Sequence, residues 1–138
     1  MTERVFVDTS ALYAALDADD AHHPEATTHW RRLLDGVAAG THEGLTHGSV
    51  LVETSALVQR RLGVPALRAL HDRLLPALTT HWVDGELHAR AVSALLGAAR
   101  RDVSLVDWTS FELMRVLGVE QALAFDDDFT EQGFTLFA

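Results

Sequence analysis

Two short apolar runs, VFV (5–7) and ALAF (122–125), lie near opposite ends of the chain, and each is followed at once by an aspartate, Asp8 or Asp126. Runs this short read as strands buried on both faces. The long stretches between them carry apolar residues at helical spacing. Strands that alternate with helices pair in parallel through crossovers. The pattern therefore specifies an α/β layered fold with a mostly parallel central sheet of four to five strands flanked by helices. Folds of this kind place their sites just beyond the carboxyl ends of the strands, where the strand order switches direction. Asp8 and Asp126 are expected to stand there.

The remaining elements follow from local signals. RVFVD (4–8) is the first strand, with Thr9 or Ser10 placed to cap the helix that follows. Residues 23–37 set Trp30, Leu33, Leu34 and Val37 on one helical face. EGLTHG (43–48) and TTHWV (79–83) are further strand candidates. Helices are expected over 49–63, ended by Gly63, then over 65–78, 86–101 and 104–118, the last with Ser104 as its cap and Gly118 as its stop. GFTLF (133–137) is the last strand. The 138 residues fit one domain with a real core.

Composition removes several chemistries. The chain has no cysteine, so it has neither a disulfide framework nor thiolate chemistry. All 11 of its basic residues are arginines, which rules out a catalytic lysine. A net charge of −9 opposes non-specific nucleic-acid binding by the chain as a whole. A local arginine rim can still bind phosphate, and arginine is the better bidentate ligand. Three Arg-Arg pairs occur, at 31–32, 60–61 and 100–101; each on its own reads as a solvated helix face. The N-terminal sequence has no basic region leading into an apolar stretch, and no run approaches the ~18 apolar residues of a membrane span. A cytoplasmic protein without membrane contact is the expectation.

Two more carboxylates lie inside apolar helical segments: Glu53 in SVLVETSALV and Asp107 in SLVDWTSF. Taken singly, Glu53 reads as part of a solvated helix face and Asp107 as an acid favoured by a helix N-terminus. Asp8 reads as a strand-end turn residue. Together they raise a different question, because at an effective dielectric of about 20 two carboxylates 4 Å apart repel by roughly 4 kcal/mol. Gathered acids require a cation or raised pKa values. Oxygen ligands without His or Cys at ligand spacing suit Mg²⁺ or Mn²⁺.

The segments VFVDTSALYAAL, SVLVETSALVQRR and SLVDWTSFELMRVLGVEQALAFDDDFTEQGF, in that order, resemble the PIN-domain ribonucleases, in particular the VapC toxins of toxin–antitoxin pairs. The resemblance implies a single PIN domain over 1–138, built as an α/β/α sandwich. It places the family's four acids on Asp8, Glu53, Asp107 and Asp126 as both catalytic and metal-binding residues. Thr9 and Ser10 match the supporting hydroxyl position, and Asp128 matches a position that in some members carries a further acid near the metal. Asp127 matches no required position. The implied activity is Mg²⁺- or Mn²⁺-dependent endoribonuclease cleavage by an activated water. The implied partners are an RNA substrate, a VapB-type antitoxin and a second copy of the chain. Arg60, Arg61, Arg100 and Arg101 are RNA-positioning candidates by sequence proximity alone.

The eight histidines fit neither HExxH nor a zinc-finger spacing and are expected at the surface. Trp30, Trp82 and Trp108 are expected in the core or at an interface. Other functions compete less well. A haloacid-dehalogenase-type phosphohydrolase would carry a second aspartate two positions after Asp8, where Ser10 stands. A receiver domain would need a late lysine. A catalytically silent PIN-like module that binds protein or RNA would be expected to have lost one of the four acids. In AFDDDF (124–129), an extended backbone would turn Asp126 and Asp128 to the same side and Asp127 to solvent.

Overall fold

The computed structural model describes residues 2–138. Five parallel strands form one sheet in the order β3-β2-β1-β4-β5. They are β1 (Glu3–Val7), β2 (His42–His47), β3 (Thr79–His81), β4 (Gln121–Leu123) and β5 (Thr135–Leu136). The helices are α1 (Thr9–Leu16), α2 (His23–Ala38), α3 (Gly48–Leu62), α4 (Val64–Ala69), α5 (Gly85–Ala98), α6 (Leu105–Leu117) and the single turn α7 (Asp128–Glu131). The expected α/β class, with a parallel sheet flanked by helices, is the observed one. Among the described residues no helix is long and apolar enough to cross a membrane.

The topology explains where chemistry can sit. From β1 the chain moves outward to β2 and β3, then returns to the other side of β1 as β4 and β5. The order therefore switches between β1 and β4, which pair through Val5–Gln121, Phe6–Ala122 and Val7–Leu123. Asp8 extends that seam by one bond, its N–H donating to the Leu123 carbonyl at 3.1 Å. Beneath it Val5, Phe6 and Val7 are fully buried, as a central strand covered on both faces requires. Phe6, Phe111 and Phe129 pack with ring centroids 5.0–6.0 Å apart along the chain of contacts, joining β1, α6 and α7. Phe129 thereby anchors the segment that carries Asp128.

Several local expectations need correction. The helix expected over 65–78 breaks after Ala69 into a wide turn at Leu70–Leu74 and a tight one at Leu75–Ala77. Pro76 has no N–H, and its ring would clash with the carbonyl four residues back, so a regular helix cannot pass through it. α5 stops at Ala98, with Ala99 in the left-handed conformation (φ 54°), and leaves Arg100 and Arg101 in a loop rather than on a helix face. The cap of α1 is Asp8, neither Thr9 nor Ser10. β4 ends at Leu123, so Ala124 and Phe125 separate Asp126 from the strand it was expected to close. β3 is cut to three residues, and Trp82 leaves the sheet.

Candidate active site

Asp8 occupies the N-cap of α1, where a carboxylate accepts from backbone N–H groups that have no helical partner. Its Oδ2 accepts from Ser10 N at 3.3 Å and from Ser10 Oγ at 2.9 Å. The residue is only 2% exposed. Burial pushes its pKa up to about 7, the charges of Asp107 and Asp126 push the same way, and the Ser10 hydrogen bonds oppose them. Thr9 is also buried, but its hydroxyl oxygen accepts from Thr54 Oγ1 at 3.0 Å and so ties α1 to α3. Ser10, not Thr9, holds the carboxylate.

Asp107 arrives from the first turn of α6. Its Oδ2 accepts from both the Ser104 N–H and the Ser104 hydroxyl at 3.0 Å, while the Asp107 N–H donates to Ser104 Oγ at 3.2 Å. This reciprocal cap fixes the carboxylate with one oxygen engaged. Asp126 is exposed on the loop after β4. Partial burial of its carboxyl raises its pKa first, followed by the Asp107 charge, and a hydrogen bond with Asp8 counteracts them. Asp128 opens α7 and is half-buried. Its pKa is also raised, by burial first and then by Asp107 and Asp126, with Arg100 opposing. The four aspartates thus share one electrostatic neighbourhood.

Glu53 stands apart from them. It is exposed on α3, in a groove of about 480 Å³ lined also by Val52, Trp82, Val83 and Val106. Val106, the residue before Asp107, lines the groove, but none of the four aspartates does. Among the described residues no three acidic or histidine side chains stand close enough together to hold a metal ion. The donor set nevertheless has the chemistry for a hard cation. It consists only of carboxylate oxygens, one of them buried and held toward its neutral form, and like charges surround it. The nearest guanidinium, that of Arg100, is held by Asp102 at 2.9 Å and Glu131 at 3.2 Å and stands 3.9 Å from Asp128.

The other arginine candidates scatter. Arg61 lies over the Tyr13 ring, 5.6 Å from its centroid. Arg60 is exposed in the last turn of α3, and Arg101 is exposed in the loop after α5. Trp82 is 70% exposed, which removes the core from the two places expected for it and leaves the interface, and Gly48 makes room for its ring: a Cβ there would come within 2.5 Å of Cε3. Trp108 is buried, edge-on to Phe111.

His47 is the clearest departure from the sequence expectation. It is fully buried, where all eight histidines were expected at the surface. Its Nδ1 accepts from the N–H groups of Ser49 and Val50 and so caps α3, and its Nε2 lies 2.9 Å from Ser110 Oγ. Burial lowers its pKa to about 4. A signal was present: the histidine sits between a strand and an apolar helical run, where a capping residue belongs. Histidine is not among the usual capping residues.

A family model described as "PIN domain" matches residues 5–134. The 23S rRNA-specific endonuclease VapC20 of Mycobacterium tuberculosis, from strains CDC 1551 / Oshkosh and ATCC 25618 / H37Rv, is 37% identical over 131 residues, covering 94% of this chain and 95% of the relative. The crystal structure of M. tuberculosis VapC20, described as a sarcin-ricin loop cleaving toxin, superposes with a TM-score of 0.81 at 36% identity, covering 95% of this chain and 96% of that one. The aspartates gathered about the switch point, the parallel sheet that positions them and this likeness along nearly the whole length have one meaning: the chain belongs to the PIN domain family.

Proposed function

We propose that the chain is a Mg²⁺- or Mn²⁺-dependent endoribonuclease acting as a VapC-type toxin, with residues 1–138 as a single PIN domain. The observation that carries this reading is the buried Asp8 at the sheet's switch point, its carboxyl raised to about 7 beside Asp107 and Asp126. An arrangement that disfavours its own ionisation is stabilised by a bound cation. Asp8, Asp107 and Asp126 would hold the ion, Glu53 would complete the set from α3, and Asp128 would lie at the margin. Bound there, the ion supplies Lewis-acid stabilisation of charge on the phosphodiester and lowers the pKa of the attacking water.

The protein's own groups supply the rest. Ser10 and the α1 N-terminus orient the Asp8 carboxyl. The Ser104 cap leaves Asp107 Oδ1 without a hydrogen bond among the described residues, so this oxygen, or the Asp126 carboxyl, is available to take the water's proton. Water attacks phosphorus, the bond to the 3′ oxygen breaks, and the products are a 5′-phosphate and a 3′-hydroxyl. Of the four arginine candidates, Arg60 and Arg101 are the ones free to meet the RNA backbone, since among the described residues neither is engaged by a carboxylate, as Arg100 is, or by an aromatic ring, as Arg61 is.

The likeness to VapC20 supports a structured ribosomal RNA loop as the substrate class. We further infer a VapB-type antitoxin that covers the groove, a homodimer, and a cytoplasmic setting. The test is incubation of purified protein with ribosomal RNA, followed by sequencing of the cleaved ends. Cleavage that needs Mg²⁺ or Mn²⁺, stops with chelator and vanishes in Asp8→Asn supports the reading. Absence of any cut with either metal, from protein shown to be folded, overturns it.

A further inference from the structure

His47 ends β2, and its imidazole begins α3. The ring is fully buried beside Phe6, with centroids 5.7 Å apart. Nδ1 stands 3.2 Å from Ser49 N and 3.3 Å from Val50 N, and both of those atoms are donors. A ring nitrogen that accepts carries no proton, so in the neutral ring the proton is on Nε2. Nε2 faces Ser110 Oγ at 2.9 Å, and the Ser110 hydroxyl donates onward to the Val106 carbonyl at 3.0 Å. The direction of the chain is therefore fixed: His47 Nε2–H to Ser110, then Ser110 O–H to Val106.

The two ends of this chain are the two helices that carry Glu53 and Asp107. Val106 adjoins Asp107 in the first turn of α6, and Glu53 stands six residues beyond His47 in α3. α3 and α6 have few other contacts. Capping α3 does not call for an imidazole, because Ser, Thr, Asp or Asn would serve better. Only a side chain with a second polar atom further out reaches Ser110. The choice of histidine is explained by the link, not by the cap.

We propose that His47 is a positioning residue which, through Ser110, ties the start of α3 to α6 and so fixes where the α3 acid, which stands apart from the aspartates, is held relative to Asp107 when a divalent cation is to be bound. This rests on the reading of those aspartates as a cation site. Neither His47 nor Ser110 touches the cation. Their role is to limit how far the two acid-bearing helices can part.

Mn²⁺ titration by calorimetry, paired with thermal unfolding, separates the link from the cap. Asn at position 47 keeps an acceptor near Nδ1 but is too short for Ser110, whereas Gln reaches Ser110 but gives up the cap. Mn²⁺ Kd is expected to rise about tenfold in His47→Asn and in Ser110→Ala, as for losses of outer-shell partners. It is expected to rise no further in the double variant and to recover in His47→Gln despite that variant's lower Tm. Equal Mn²⁺ affinity in wild type and Ser110→Ala overturns the proposal even if the position 47 variants fail to fold. A wild-type chain that binds no Mn²⁺ overturns the cation reading together with it.

Discussion

Ser10 Oγ donates to Asp8 Oδ2 at 2.9 Å and accepts from the Phe125 N–H at 3.0 Å. One hydroxyl thereby joins the acid after β1 to the backbone of the loop carrying Asp126, across 115 residues of sequence. Ser10→Ala leaves the Phe125 N–H without its partner and removes the hydrogen bond that lowers the Asp8 pKa. We expect a loss of roughly 1–3 kcal/mol in urea denaturation and a fall in kcat with little change in KM for RNA. Unchanged kcat in the folded variant would show that the loop does not need this bridge.

Asp8 also makes stability depend on pH. Its folded pKa of about 7 lies above the ordinary 3.8, so between those values the folded state binds the extra proton. The metal-free protein therefore loses stability from this group as pH rises from about 4 through 7, by roughly 4 kcal/mol at most. Asp8→Asn should flatten that slope, as should saturating Mg²⁺. Denaturant midpoints for wild type and variant from pH 4 to 8 provide the measurement; parallel curves would refute the effect.

The aspartates of AFDDDF divide by their surroundings. Asp126 interacts with Asp8 and Asp107, Asp128 lies at the edge of the cluster near Arg100, and Asp127 precedes α7 in the open. Single Asp→Asn changes should lower RNA cleavage at least about 100-fold at 126, several-fold at 128 and less than twofold at 127, on the scale of lost charge at a catalytic centre. Equal losses at 126 and 127 would contradict this division.

Among the arginines, Arg100 is already occupied by Asp102 and Glu131. Its replacement by alanine should leave the salt dependence of RNA binding almost unchanged. Arg60→Ala and Arg101→Ala should each reduce the slope of log K against log salt by about 0.7–0.9, the loss of one phosphate contact. Binding measured from 50 to 300 mM salt distinguishes them. A reduced slope for Arg100→Ala alone would reverse the assignment.

The readable parts of the sequence were those fixed by near neighbours. Val5–Val7 and Asp8 form an apolar run ended by an acid, and Ser104 with Asp107 forms a reciprocal cap within four residues. The rest depended on distant partners. ALAF has strand composition throughout, yet the β1 partners of β4 end at Val7, so pairing stops at Leu123. Beyond it the backbone is not extended: Asp127 is helical (φ −66°, ψ −14°), and the alternation expected for Asp126 and Asp128 does not apply. Glu53 lies among apolar residues, but Val52 beside it is 62% exposed, so the surroundings in sequence did not reveal which face was covered. His47 is buried because Ser110, 63 positions away, gives its ring a polar partner.

The two margins of the sheet, three-residue β3 and two-residue β5, bear on how this protein meets other chains. A strand arriving at either edge would find only two or three backbone positions to pair with, too few to hold it. Growth of the sheet by strand addition, which leads both to domain exchange and to fibres, is blocked on both sides by brevity alone. Short margins favour association through side chains, and Trp82 and Val52 are exposed beside the groove. Recognition by side chains can be altered by point substitution, whereas strand addition reads mainly backbone. Closely related copies with such margins can therefore diverge in partner choice while keeping the same sheet.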